Sequence, residues 1–149
     1  MGYNDFLISS PKQFENLARE YSQMLKSKNS LLETGKELIN LFQFLSFVYE
    51  TILKNSNGQR LTTLMDNLIH GLSLDISDVC LMFSIDPKTI KLKTPKNLNT
   101  LRDCLKLSIS TESVVVLKLI EILKATNSAV VNEISLKHLE TIKQLTKYI

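Results

Sequence analysis

The sequence predicts an all-α fold, a compact bundle of six to seven helices around a central hydrophobic helix over about residues 31–54. Three observations carry that prediction. The first is the stretch Leu38 to Leu53, LINLFQFLSFVYETIL, which at helical period is apolar round most of its circumference. Only a strip formed by Lys36, Asn40, Gln43, Glu50 and Lys54 is polar, so other elements must wrap it. The second is the scarcity of turn formers, with four glycines and three prolines in 149 residues. The third is the recurrence of apolar residues at spacings of three and four through most of the chain.

The elements follow in order. Ser10, Pro11 and Gln13 form a helix start, and Phe14, Leu17, Ala18, Tyr21 and Leu25 give the first helix an apolar face. The pattern breaks over Lys26 to Asn29, and Ser30 with Glu33 offers a second capping box for the hydrophobic helix. Asn55-Ser56-Asn57-Gly58 ends that helix. These turn residues, continued by Gln59 and Arg60, echo the Asn-Trp-Gly-Arg motif of Bcl-2-type domains. They lack its tryptophan and follow a helix instead of leading one, so no family is assigned.

A third helix over about 59–72 carries Leu61, Leu64, Met65, Leu68, Ile69 and Leu72. Ser73 or Asp75 caps a short fourth through Ile76, Val79, Cys80 and Phe83. Residues 84–94, SIDPKTIKLKT, lose the helical period and read as a basic extended loop, with a short edge strand as the alternative. Thr94 with Pro95 restarts a helix through Leu98, Leu101, Cys104 and Leu105. Ser110 or Thr111 caps a sixth through Val114 to Val116, Leu119, Ile120, Ile122 and Leu123, which ends at Asn127 and Ser128. The last helix, capped by Ser135, shows Leu136, Leu139, Ile142, Leu145 and Ile149 as one stripe. Helices pairing in sequence could also stack in the manner of an α-solenoid.

Composition bounds the function. A length of 149 residues, 44% hydrophobic and 22% charged, fits a single domain able to bury a core without disulfides or metals. Cys80 and Cys104 read as small core hydrophobes. The opening MGYNDFLISSPKQ has neither a basic region nor an apolar run, so no secretory signal is expected. Phe6 stands where N-myristoylation wants Ser or Thr. No run is long and apolar enough for a membrane span, and an intracellular setting is expected, with cytoplasm and nucleus undistinguished.

Catalytic signatures are absent: there is no glycine-rich phosphate loop, G-x-S-x-G, HExxH or CxxC. No cofactor and no enzymatic activity are expected. His138 lies among Leu139, Ile142 and Leu145 and reads as a core or boundary histidine. His70 sits opposite Leu64, Leu68 and Leu72 and faces solvent. It could serve phosphotransfer, although Gly71-Leu72-Ser73 follows it where such domains place a lysine and glycine.

Two surfaces remain for a partner. Phe47 interrupts the polar strip near Asn40 and Gln43, which marks a groove for another protein chain or a place where a further segment of the same chain packs. Lys88, Lys91, Lys93, Lys96, Arg102 and Lys106 form a basic region facing only Asp86 and Asp103, suited to phosphates or to solvation alone. The functional expectation is a non-enzymatic interaction module, an adaptor or subunit of a larger assembly, with a nucleic-acid-associated helical protein as the alternative. Self-association is compatible with either.

Overall fold

The computed structural model describes residues 11–91, 95, 98 and 100–149, and the chain is all-helical, with no strand among them. Four α-helices and one 3-10 turn are described: α1 Pro11–Asn55, α2 Gln59–Phe83, the turn Pro87–Thr89, α3 Leu101–Thr126 and α4 Ala129–Thr146. The chain divides into two units, Met1–Glu33 and Thr34–Ile149. In the first, Leu17 and Ala18 of the expected apolar face are exposed; the side chains of Phe14, Tyr21 and Leu25, and the cap at Ser10, lie outside the described residues.

Three of the expected helix boundaries do not exist. The chain stays helical through Lys26 to Asn29, through Ser73 to Asp75 and through Ser110 to Thr111, so the expected six to seven helices merge into four among the described residues. Ser and Thr are read as caps because their hydroxyls compete for backbone groups. Hydroxyls inside the helices bond back to the preceding turn instead: Ser135, expected as the cap of the last helix, donates to the Val131 carbonyl at 2.9 Å, and on either side of the expected Ser110–Thr111 boundary Ser108 Oγ donates to the Cys104 carbonyl at 2.7 Å and Ser113 Oγ to the Ile109 carbonyl at 2.9 Å. A hydroxyl satisfied in that way does not end a helix.

Two other starts also move. The helix read from Thr94-Pro95 begins at Leu101, with the Thr100 side chain accepting from the Asp103 N–H, and Leu98 precedes it. The last helix begins at Ala129 with Ser128 as its cap, not at Ser135. With that start its buried face becomes Val131, Ile134, Ser135, His138, Thr141 and Leu145, whereas Leu136 and Leu139 are exposed. The expected apolar stripe was offset because core positions here hold polar residues.

The ends that glycine, asparagine and serine enforce are where they should be. α1 stops at Asn55, Gly58 caps α2, and Asn127 closes α3 in the left-handed conformation at φ 52°. Ser84 closes α2 in the same way at φ 54°, and the next N–H, that of Ile85, reaches the Cys80 carbonyl at 2.9 Å.

In the Thr34–Ile149 unit the stretch from Leu38 to Ile52 is as apolar in its surroundings as in its sequence. Leu38, Ile39, Phe42, Leu45, Val48 and Tyr49 have no exposed surface. Met65, Leu72 and Val79 of α2, Leu105, Val115, Leu119 and Ile122 of α3, and Val131, Ile134 and Leu145 of α4 complete the core. Gly35 lets α1 approach the end of α2: a Cβ there would lie 2.7 Å from the ring of Phe83. No helix among the described residues is long and apolar enough to cross a membrane.

Candidate functional site

The chemistry of the Thr34–Ile149 unit is concentrated in one buried polar cluster that draws a side chain from each of its α-helices. His138 of α4 stands between two carboxylates, with Nε2 2.8 Å from Asp75 of α2 and Nδ1 2.5 Å from Glu112 of α3. Tyr49 of α1 donates its hydroxyl to the other Glu112 oxygen at 2.6 Å, and Lys137 of α4 reaches the other Asp75 oxygen at 2.9 Å. Phe42 stacks on the His138 ring with centroids 5.3 Å apart and planes 17° from parallel.

Local structure explains how these groups arrive. Positions 131, 134, 138, 141 and 145 recur at three and four, so the face of α4 that buries Val131, Ile134 and Leu145 also buries His138. Asp75 stands three residues after Leu72 and four before Val79 on the buried face of α2, and Glu112 three before Val115 on that of α3. Asp75, Glu112 and His138 are 2%, 1% and 4% exposed. Charges that deep persist only when paired and hydrogen-bonded.

Electrostatics follow from the geometry. Burial alone pulls the His138 imidazole toward its neutral form, but the hydrogen bonds and charges of Asp75 and Glu112 outweigh it and raise its pKa from 6.5 to about 9. His138 is therefore an imidazolium at neutral pH, donating to a carboxylate from each nitrogen. Burial first, then the charge and hydrogen bond of Glu112, push the Tyr49 phenol well above 10, which keeps it a donor.

One wall of this cluster faces a cavity of about 240 Å³ lined by Leu68, Gly71 and Leu72 of α2 and by Glu140 and Thr141 of α4, with Tyr49, Asp75, Glu112 and His138 also on its surface. Both ring nitrogens of His138 are engaged, and among the described residues no group of three or more His, Cys, Asp or Glu side chains is arranged to hold a metal ion.

The residues singled out from the sequence are dispersed. Asn40, Gln43 and Phe47 are half-buried on one side of α1, and the Gln43 Oε1 is shut away from solvent with no hydrogen-bond partner among the described residues. Lys88 and Lys91 are exposed around the 3-10 turn, where Asp86 accepts from the Lys88 N–H. Arg102 and Lys106 are exposed on α3, and Lys93 and Lys96 lie outside the described residues. His70 is exposed on α2. Cys104 is buried and Cys80 half-buried, both as free thiols.

His138 was legible as a buried histidine, but its partners were not. Asp75 reads as a candidate helix cap, a common surface role, and Glu112 belongs to no motif. Only the buried-face spacing, Leu72-Asp75-Val79 and Glu112-Val115-Leu119, distinguishes them. Comparison with known proteins finds no matching family model, curated protein or solved structure.

Proposed function

We propose that the chain is a non-enzymatic interaction module, an adaptor or subunit of a larger assembly, that receives another protein on the half-open side of α1. The observation that carries this reading is a row of large apolar side chains left partly uncovered beside the fully buried face of α1. Leu41, Phe44 and Phe47, spaced by three, are half-buried, while Phe42, Leu45 and Val48 beside them have no exposed surface. A helical partner would meet such a row in register, with the aromatic rings as anchors. The reading takes α1 from Thr34 onward as the helix around which its unit packs. A bundle is favoured over solenoid-like pairs because side chains from all four α-helices meet at His138.

Affinity purification with the wild type and with Phe47→Ala as baits tests it. Truncating an aromatic anchor costs about 2 kcal/mol or more, roughly a thirtyfold loss of affinity. The variant should lose the captured protein while keeping the wild-type helical circular dichroism and a cooperative melting transition above the temperature of the experiment. Equal capture by both baits would remove the reading. Sedimentation at several concentrations decides whether the partner is a second copy.

The exposed Lys88, Lys91, Arg102 and Lys106 favour nucleic-acid association as the second reading. Its test is retention on nucleic acid that falls with salt and disappears when Lys88, Lys91 and Lys93 are neutralised.

A further inference from the structure

We propose that the cavity between α2 and α4 is a binding site for a small organic monocation with an apolar body, of the size and class of an arylalkylamine. The space is built into the wall of the unit. Gly71 lines it, and a Cβ at that position would meet nothing within 4 Å, so the missing side chain helps keep it open. Its 240 Å³ exceeds the roughly 150 Å³ that suffices to hold benzene in an apolar protein cavity. Leu68 and Leu72 supply apolar wall for a ring.

The polar groups on the wall specify what the other end of the ligand must be. Each of the four oxygens of Asp75 and Glu112 has one donor in the cluster, from Tyr49, Lys137 or one of the two nitrogens of His138. A carboxylate oxygen accepts two hydrogen bonds, so both groups retain acceptor capacity. The buried donors have none to spare: the Tyr49 hydroxyl and both His138 nitrogens already point at carboxylates. The buried part of the wall therefore accepts and does not donate, and the further donors, on Asn67 and Lys137, stand at the exposed rim.

Charge gives the same answer. Three carboxylates, Asp75, Glu112 and Glu140, line the cavity against two cations, Lys137 and His138. With Asp75 and Glu112 balanced by Lys137 and His138, the remaining negative charge is that of Glu140 at the exposed rim, and it favours a monocation over an anion. Lys137, with 55% of its side chain exposed, stands toward solvent at the rim.

Titration of the full-length protein with 2-phenylethylamine, followed by amide chemical-shift changes and calorimetry, tests the site. Saturable binding is expected, with the largest shifts at Leu68 to Leu72 and Lys137 to Thr141, and 3-phenylpropionate should bind at least tenfold more weakly. Gly71→Leu fills the cavity and should abolish binding, while melting at or above the wild-type temperature because glycine is a poor helix residue. Glu140→Lys, a change on the exposed rim that leaves the core intact, should weaken the amine several-fold and narrow its preference over the acid. Non-saturable shifts, equal affinity for amine and acid, or binding unaffected by both variants would each overturn the proposal.

Discussion

His138 is the residue on which four helices converge, and its environment makes a definite statement about stability and pH. Its folded pKa of about 9 lies above the 6.5 of an unperturbed imidazole. The folded state therefore binds the proton more tightly than the unfolded chain does. The stabilisation is complete below pH 6.5 and is lost as pH rises through about 9. A shift of that size corresponds to about 3 kcal/mol. Urea midpoints measured from pH 6 to pH 10 should fall across this window, and a flat or rising profile would contradict the assignment. Tyr49 offers an independent test. Tyr49→Phe keeps the ring and removes the donor from Glu112, leaving a buried carboxylate oxygen short of a partner, so a loss of about 1–3 kcal/mol is expected by chemical denaturation. No measurable change would mean that the Tyr49 bond adds nothing net to the fold.

At the scale of elements, the close approach of α1 to the end of α2 depends on one glycine. Alanine favours a helix interior over glycine by up to about 1 kcal/mol, which alone would stabilise Gly35→Ala. The new Cβ would lie 2.7 Å from Cδ2 of the Phe83 ring, and overpacking of that kind costs about 1–3 kcal/mol. The steric effect should win, lowering the melting temperature, and adding Phe83→Leu should recover part of the loss. A more stable Gly35→Ala protein would mean that the ring yields easily. The opposite sign is expected one residue after Phe83, at the C-cap of α2. Ser84 holds φ 54°, a conformation that costs a side chain roughly 1–2 kcal/mol and glycine almost nothing, so Ser84→Gly should raise the urea midpoint.

At the scale of the molecule, the buried core residues among those described, and the His138 cluster, all fall within Thr34–Ile149. A fragment starting at Thr34 should retain helical circular dichroism and a cooperative unfolding transition, because it keeps every group that pairs a buried charge. Loss of cooperativity in that fragment would show that the first unit is needed for folding. Much of this level was legible beforehand. The all-helical class follows from periodicity and scarce turn residues, and the burial of Leu38 to Ile52 follows from a run with almost no polar face. The expected helix number exceeds the four described, because serine and threonine carry a capping signal in sequence wherever they stand, whereas the helices run on through Lys26 to Asn29, Ser73 to Asp75 and Ser110 to Thr111. Periodicity carries no information on that choice, since the helical phase barely changes across such a site.

By itself, the sequence determined the secondary-structure class, the buried face of the helix from Leu38 to Ile52, and the breaks at Asn55 to Gly58 and at Asn127. Those features depend on local propensity and on the hydrophobicity of residues near in sequence. Only the tertiary structure decided that Asp75 and Glu112, 63 and 26 residues from His138, share one buried site. A carboxylate read in one dimension belongs to the surface, since burying it alone is prohibitive. Its burial becomes affordable only when a cation from a distant helix meets it, and that pairing exists in three dimensions alone.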